Sequence, residues 1–370
     1  MKVAGISVEA VVVPFEKPFR GSSYSVVSRR VLIARVTLDD GTVAVCHSGN
    51  GHEDAPLVAK LATEIGQLMV GKSLHSVEQN WAQLFDIAGP VQSPWRQRNL
   101  THAIATVDTA LWHALGVTTE QPLCRLLGSD PNPIPAMYIG GYYGEGTPRE
   151  DVEDAIEFVK ASGVAAVKLK VGNPDVDLDI EKLRLTRELG GDELQIVCDA
   201  NGGWDLRTAR RFADAAVDYR IEWLEEPVHW HSDVDGMRLM RANGKVEIGA
   251  GQSETSPQRA AKLIMDGAVD VVNFDASWGG GVTGWRKVAG IAELSGVRVA
   301  HHSEPQLGMH LLAGIRHRGY VEIYEPERDP VWYQMVDAPP VVGGAIVAPY
   351  GPGLGLTIDE SFVKRYRVDA

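Results

Sequence analysis

The 370-residue sequence predicts an α/β protein: a closed (β/α)8 barrel of the TIM type, with an α+β capping domain formed by the N-terminal part and the C-terminal tail. Three observations carry this reading. The chain opens on long β-branched runs followed by helical spacing. From about residue 135 onward, eight apolar runs alternate with helical stretches at intervals of roughly 20 to 30 residues, the length of a βα unit. The ionisable residues of those runs gather at their C-terminal ends, where the strands of such a barrel present functional groups.

Taken in order, residues 3–15 (VAGISVEAVVVPF) and 29–47 (RRVLIARVTLDDGTVAVCH) read as strands, the second broken by the turn Asp40-Gly41. Between them FEKPFRGSSYS, residues 15–25, is rich in Gly, Ser and Pro and predicts a mobile loop. Leu57, Leu61, Ile65 and Leu68 have helical spacing over 55–71. Ala103, Val107, Ala110, Leu111, Ala114 and Leu115 form one apolar face over 100–116. These elements predict a capping unit over 1–128, joined by residues 351–370, and a barrel over 129–350. The barrel strands are AMYI, AVKLKV, LQIVCDA, IEWLEEP, KVEIGAG, VDVVNFDA, VRVAHHS and YVEIYEP, with helices such as VEDAIEFVKAS and RTARRFADAAVD between them. A doubly wound sheet is the rival topology, but no GxGxxG opens a helix after a strand, and GGG at 279–281 lacks the spacing.

Thirty-six Lys and Arg against 49 Asp and Glu leave a net charge of −13, which excludes nucleic acid and anionic membrane as partners. Hydrophobic residues at 44% and charged residues at 23% argue against disorder. Cys46, Cys124 and Cys198 form no CxxC pair, which points to a reducing compartment and away from a thiolate metal site. With neither a secretory h-region nor a long apolar span, the expected location is cytoplasmic.

The strand ends carry Lys168 and Lys170, Asp199 and Asn201, Glu225 and Glu226, Gln252 and Glu254, Asp275, His301 and His302, and Glu322. Residues two apart on a strand point the same way, so Lys168 pairs with Lys170 and Asp199 with Asn201. A Lys-x-Lys strand alone is usually an exposed edge, but apolar flanks on both sides make this one buried. Asp199, Glu225 and an oxygen from Gln252 or Glu254 form an all-oxygen set, which suits a hard divalent cation, Mg²⁺ before Mn²⁺ or Ca²⁺. Across the mouth, His302 faces the lysine pair, and Asp275 is placed to hold its other ring nitrogen. Two bases flanking a cation suggest removal of a proton beside a metal-bound carboxylate. His301 reads as a satisfied core histidine, and Trp204, Trp278 and Trp285 read as packing residues.

The ordered set VDTALWHALG, VKLKVG, VCDANGGW, IEWLEEP, DASWGGGVTGW, AHHSEPQ and GPGLG resembles the enolase superfamily, in particular its mandelate racemase subgroup, over essentially the whole chain. The resemblance implies one Mg²⁺ held by Asp199, Glu225 and Gln252, with Glu254 as the alternative to Gln252. It implies Lys170 as the base on one face, with Lys168 binding the substrate carboxylate and lowering the Lys170 pKa. His302 with Asp275 resembles the base dyad of the opposite face. Glu322 resembles a protonated donor to the enolate oxygen, and Asn201 a contact to the α-hydroxyl. Gln252 departs from the family's usual third acidic ligand and leaves the set at −2. Asp275 stands where the cycloisomerase branch has a lysine, which lowers that reading. The cap is expected to close over the substrate through loop 15–25, including Tyr24, and through residues 47–54, including His47.

Both capping stretches are rich in hydroxyls and charges, whereas an aryl substrate needs an apolar pocket. The expected function is therefore dehydration of an acid sugar to a 2-keto-3-deoxy acid, making the enzyme a lyase. The alternative is an isomerase, a racemase or epimerase of a hydroxy acid or cyclic amino acid. A non-catalytic acid-sugar-binding relative is the third. The partner is a small-molecule carboxylate, and the resemblance implies a homo-oligomer.

Overall fold

The computed structural model describes residues 1–49, 54–87, 94–144 and 146–368. An antiparallel sheet opens the chain: β1 (Val3–Arg20), β2 (Ser25–Leu38) and β3 (Val43–Gly49). The expected mobile loop is mostly strand. Phe19 pairs with Val26 and Arg20 with Ser25, so the hairpin extends to a short turn at 21–24 after a register shift between Pro14 and Phe19. Ladder hydrogen bonds thus override the turn composition on either side of Gly21.

Against this sheet pack α1 (Ala55–Gly66), α2 (Val77–Ile87) and α3 (Pro94–Thr119), followed by the short α4 (Leu123–Leu126). The buried stripe of α1 is Ala55, Val58, Ala59, Ala62 and Ile65, while Leu57 and Leu68 are exposed. The small residues win the inner face because α1 lies directly on β1 and α3. Helix α3 is buried on nearly every side from Asn99 to Ala114, polar Thr106, Asp108 and Thr109 included.

The barrel strands are β4 (Ile134–Gly140), β5 (Ala166–Lys170), β6 (Gln195–Asp199) and β7 (Trp223–Glu225), then β8 (Ile248–Ala250), β9 (Val271–Asn273), β10 (Arg298–His301) and β11 (Arg318–Ile323). All pair in parallel, and β11 closes on β4 through Val321 with Ala136 and Glu322 with Met137. Helices α5 (Pro148–Ser162), α6 (Val176–Gly190), α7 (Leu206–Ala216), α8 (Asp233–Asn243), α9 (Pro257–Met265), α10 (Gly281–Leu294) and α11 (Pro305–Leu311) follow the first seven strands. Side chains of Thr147, Asp175, Asp205 and Ser256 cap α5, α6, α7 and α9, which sets where each helix starts. After β11 comes one wide turn, Val331–Met335. Strand β12 (Ala345–Ile346) then adds antiparallel to β4. Helix α12 (Glu360–Tyr366) leads into β13 (Arg367–Val368), which pairs with Ala10 and Val11 of β1.

The barrel interior has two layers. Met137, Ala166, Val197, Trp223, Val271 and Ala300 form an apolar floor. Two residues further along β5, β6, β7 and β9 stand Lys168, Asp199, Glu225 and Asn273, so strand alternation lifts a polar layer directly above the apolar one. Gly249 on β8 makes room for the Trp223 ring, which a Cβ there would meet at 2.4 Å. Among the described residues no helix is long and apolar enough to cross a membrane.

Candidate active site

Strands β5, β6 and β7 bring Lys168, Lys170, Asp199 and Glu225 into one buried cluster. Lys168, with 0% of its side chain exposed, donates to Glu322 Oε1 at 2.6 Å and Glu225 Oε1 at 3.1 Å, and lies 3.8 Å from Asp199 Oδ2. Burial alone would strip its proton, but Glu225, Glu322 and Asp199 raise its pKa above the ordinary lysine value. Lys170 donates to Asp199 Oδ2 at 2.6 Å and Asn201 Oδ1 at 3.1 Å. Burial would likewise favour its neutral form, yet Asp199 raises its pKa well above normal. The expected lowering by Lys168 is opposed in this arrangement by Asp199, the carboxylate in contact. Burial would raise the Asp199 carboxyl, but Lys170 and Lys168 hold it down at about 2. Glu225 is pushed up by burial, opposed by Lys168, and takes a hydrogen bond from Trp223 Nε1 at 3.0 Å.

Gln252 reaches the cluster from the end of β8, its Nε2 donating to Asp199 Oδ1 at 3.0 Å and Glu226 Oε2 at 3.2 Å. Glu254 does not reach it. Its carboxylate accepts from Arg259 Nε at 2.6 Å, because the chain turns at Gly251 (φ 131°) and strand alternation ends there. Among the described residues no three His, Cys, Asp or Glu side chains close on one point. The donor set does fit a hard cation, since Asp199, Glu225 and the Gln252 carboxamide stand on adjacent strand ends and offer only oxygen as ligand atoms.

On the far side of the mouth, His302 Nδ1 lies 3.0 Å from Asp275 Oδ2, whose other oxygen accepts from Ser277 N–H and Oγ–H at 2.8 and 2.6 Å. Burial disfavours the imidazolium, but Asp275 and Glu322 outweigh it and raise the His302 pKa. His302 Nε2 faces Ser303 Oγ at 3.3 Å, and that hydroxyl reaches Tyr324 Oη at 3.2 Å. Tyr142 lies beside Tyr324. Trp278 meets the His302 ring edge-on. His301 is satisfied by backbone alone: Nε2 accepts from Ala276 N–H, Nδ1 donates to Ser303 O, and burial lowers its pKa.

Glu322 differs from the expected protonated donor. Its Oε1 accepts from Lys168 and from Asn273 Nδ2 at 3.2 Å, and its Oε2 accepts from Ser303 N–H at 2.6 Å. Burial would raise its pKa, but Lys168 and His302 lower it, so it is a charged acceptor in this arrangement. Tyr24, at the tip of the β1–β2 hairpin, donates to Asn201 Oδ1 at 3.1 Å and so touches the Lys170 side of the mouth. His47 is not at an opening. It is 2% exposed, near Gln306 and Glu304, and burial depresses its pKa to about 4. Of the expected capping stretch 47–54, Ser48 and Gly49 are also buried, and residues 50–53 lie outside the described residues.

Sequence reasoning missed Asn273, Ser303, Tyr324, Tyr142 and the buried triad Arg29, Glu304 and Asp329. Arg29 on β2 pairs with Glu304 at 2.9 Å and Asp329 at 3.0 Å, fixing the cap to the segment just after His302. Asn273 and Tyr324 stand two residues from Asp275 and Glu322, so the same-face rule that paired the lysines would have found both.

Residues 150–362 match the family profile described as enolase C-terminal domain-like, and residues 4–128 match the mandelate racemase / muconate lactonizing enzyme N-terminal domain. A 3,6-anhydro-alpha-L-galactonate cycloisomerase of Streptomyces coelicolor is 28% identical over 91% of this chain and 91% of its own. The L-talarate/galactarate dehydratase of Salmonella typhimurium is 27% identical over 89% of this chain and 81% of its own. A solved mandelate racemase/muconate lactonizing enzyme from a marine actinobacterium, in complex with magnesium, matches with a TM-score of 0.90 and 32% identity, covering 100% of this chain and 99% of its own.

Proposed function

Because the chain belongs to the mandelate racemase/muconate lactonizing enzyme family of the enolase superfamily, we propose that it dehydrates an acid sugar to a 2-keto-3-deoxy acid with Mg²⁺ as cofactor. Relatives of this chain are dehydratases, cycloisomerases and epimerases, and the protein is an enzyme of the lyase or isomerase kind. One observation favours dehydration: the second ring nitrogen of His302 faces a hydroxyl, that of Ser303, with Tyr324 continuing the line. A polyhydroxylated chain can replace or extend such a line, because each hydroxyl both donates and accepts.

In this reading Asp199, Glu225 and Gln252 hold the cation, and Lys168 faces the substrate carboxylate. Held there, Mg²⁺ would supply positive charge at the substrate carboxylate, and Asp199, shared with it, would hold the Lys170 proton less tightly. Lys170, as the free amine, takes the α-proton. His302, as imidazolium, gives its proton to the β-hydroxyl, the C–O bond breaks and water leaves. The resulting enol takes up a proton at its third carbon and becomes the keto acid. Asp275 keeps His302 turned towards the mouth throughout.

Incubating aldonic and aldaric acids with the enzyme and Mg²⁺ should release a 2-keto-3-deoxy acid, read by carbonyl trapping. A panel giving neither keto acid nor exchange of the α-proton would sink the dehydratase reading. Racemisation is the second reading, favoured by the position of Lys170 and the His302–Asp275 dyad on opposite sides of the mouth. Its mark would be exchange with inversion at the α-carbon and no keto acid.

A further inference from the structure

Gln252 is the neutral member of the proposed ligand set, and a carboxamide can turn either its oxygen or its nitrogen towards a cation. Only the oxygen is a ligand for a hard ion. Glu226 decides between the two. It follows Glu225 with a backbone φ of 40°, a left-handed conformation uncommon for a residue with a side chain. That turn swings its carboxylate to the end of β8. There Oε1 accepts from Ser253 N–H at 3.1 Å, and Oε2 accepts from Ser253 Oγ–H at 2.9 Å and from Gln252 Nε2 at 3.2 Å. Every partner of this carboxylate is a donor. Gln252 Nε2 also donates to Asp199 Oδ1, but a cation on Asp199 competes with it there, and Glu226 then remains as the acceptor for that nitrogen.

We propose that Glu226 is the positioning residue that makes Gln252 a metal ligand: its carboxylate claims the amide N–H and leaves the amide oxygen for the cation. The proposal rests on the Mg²⁺ reading above and concerns a residue that the ligand set itself does not include.

The chemistry of Glu226→Gln follows from the three donors. The new amide cannot accept on both sides, so its NH₂ meets either Ser253 N–H or Gln252 Nε2. The second case is relieved when Gln252 flips, which turns its nitrogen to the cation. Placing a carboxylate at 252 removes that choice, since both its oxygens can ligate or accept. Mn²⁺ binding to the full-length protein, followed by electron paramagnetic resonance with Mg²⁺ competition, reads this without turnover. Glu226→Gln should weaken binding at least about tenfold, and the swapped pair Glu226→Gln with Gln252→Glu should recover most of the loss. Wild-type affinity in Glu226→Gln, or no recovery in the swapped pair, would overturn the proposal. If Glu226→Gln does not fold, the swapped pair decides alone, since it must bind within a few-fold of wild type. A wild-type protein that binds neither ion would instead bring down the Mg²⁺ reading, and the positioning role with it.

Discussion

Asp275 sets the protonation behaviour of His302 through a single 3.0 Å contact. Burial lowers the imidazole pKa, and Asp275 and Glu322 together raise it by more, so the folded value lies above that of a free histidine. Asp275→Asn removes the Asp275 contribution and leaves the burial. The limb of the kcat/KM profile governed by His302 should therefore move to lower pH, with turnover falling about 10²-fold or more from lost orientation. An unmoved limb would show that another group titrates there. The sequence disclosed this dyad because chemistry-bearing residues at strand ends are few and face one another in a barrel. It concealed the charge state of its neighbours. Lys168 and Lys170 look from the sequence like a repelling pair, but Asp199, Glu225 and Glu322 close around them, and no spacing rule gives those distances. Ser303 was hidden for another reason. It has φ 47° and Glu304 φ 44°, so the chain after His302 leaves strand alternation. The Arg29–Glu304 pair that holds this turn joins residues far apart in sequence.

At the level of elements, the two longest sequence signatures in cap and barrel meet physically. Asp108 of α3 accepts from Thr283 N–H at 2.8 Å and from Thr283 Oγ1 at 2.7 Å, and Trp112 Nε1 donates to the same hydroxyl at 2.8 Å. The N-terminus of α10 is thus capped from the capping domain rather than by its own N-cap residue, where Gly280 offers no side chain. Gly281, at φ 81°, permits the approach: a Cβ there would meet Asp108 Oδ2 at 2.4 Å. Burial pushes the Asp108 carboxyl up to about 7 against the two hydrogen bonds. Asp108→Ala should cost about 1–3 kcal/mol in urea unfolding at pH 5. Because the folded pKa lies above the unfolded one, the Asp108 contribution is full at low pH and is lost as pH rises through about 7. The difference between wild type and variant should therefore shrink by pH 8, and a difference that grows with pH would contradict this capping account. The periodicity of α3 was legible and its length was not. Thr106, Asp108 and Thr109 break the apolar pattern that marks a buried helix, although all three are fully buried.

For the whole molecule, the barrel supplies a floor of apolar side chains and a charged layer above it, and the cap is tied to the barrel by side-chain contacts. Tyr24 meets Asn201, Arg29 meets Glu304 and Asp329, and Asp108 meets Thr283. The alternation of βα units and the strand-end chemistry made this architecture legible, because both are local in sequence. The path of the cap over the mouth was not, since it depends on the extended β1–β2 hairpin that turn composition disguised as a loop. The central claim is that this layer removes a proton α to a carboxylate. Its most direct test is solvent deuterium exchange at that carbon, followed by NMR, for an aldonic or aldaric acid with Mg²⁺. Wild type should exchange, chelation should stop it, and Lys170→Ala should slow it about 10²- to 10⁴-fold while the fold persists. Exchange at the wild-type rate in Lys170→Ala, or in the presence of chelator, would contradict the account.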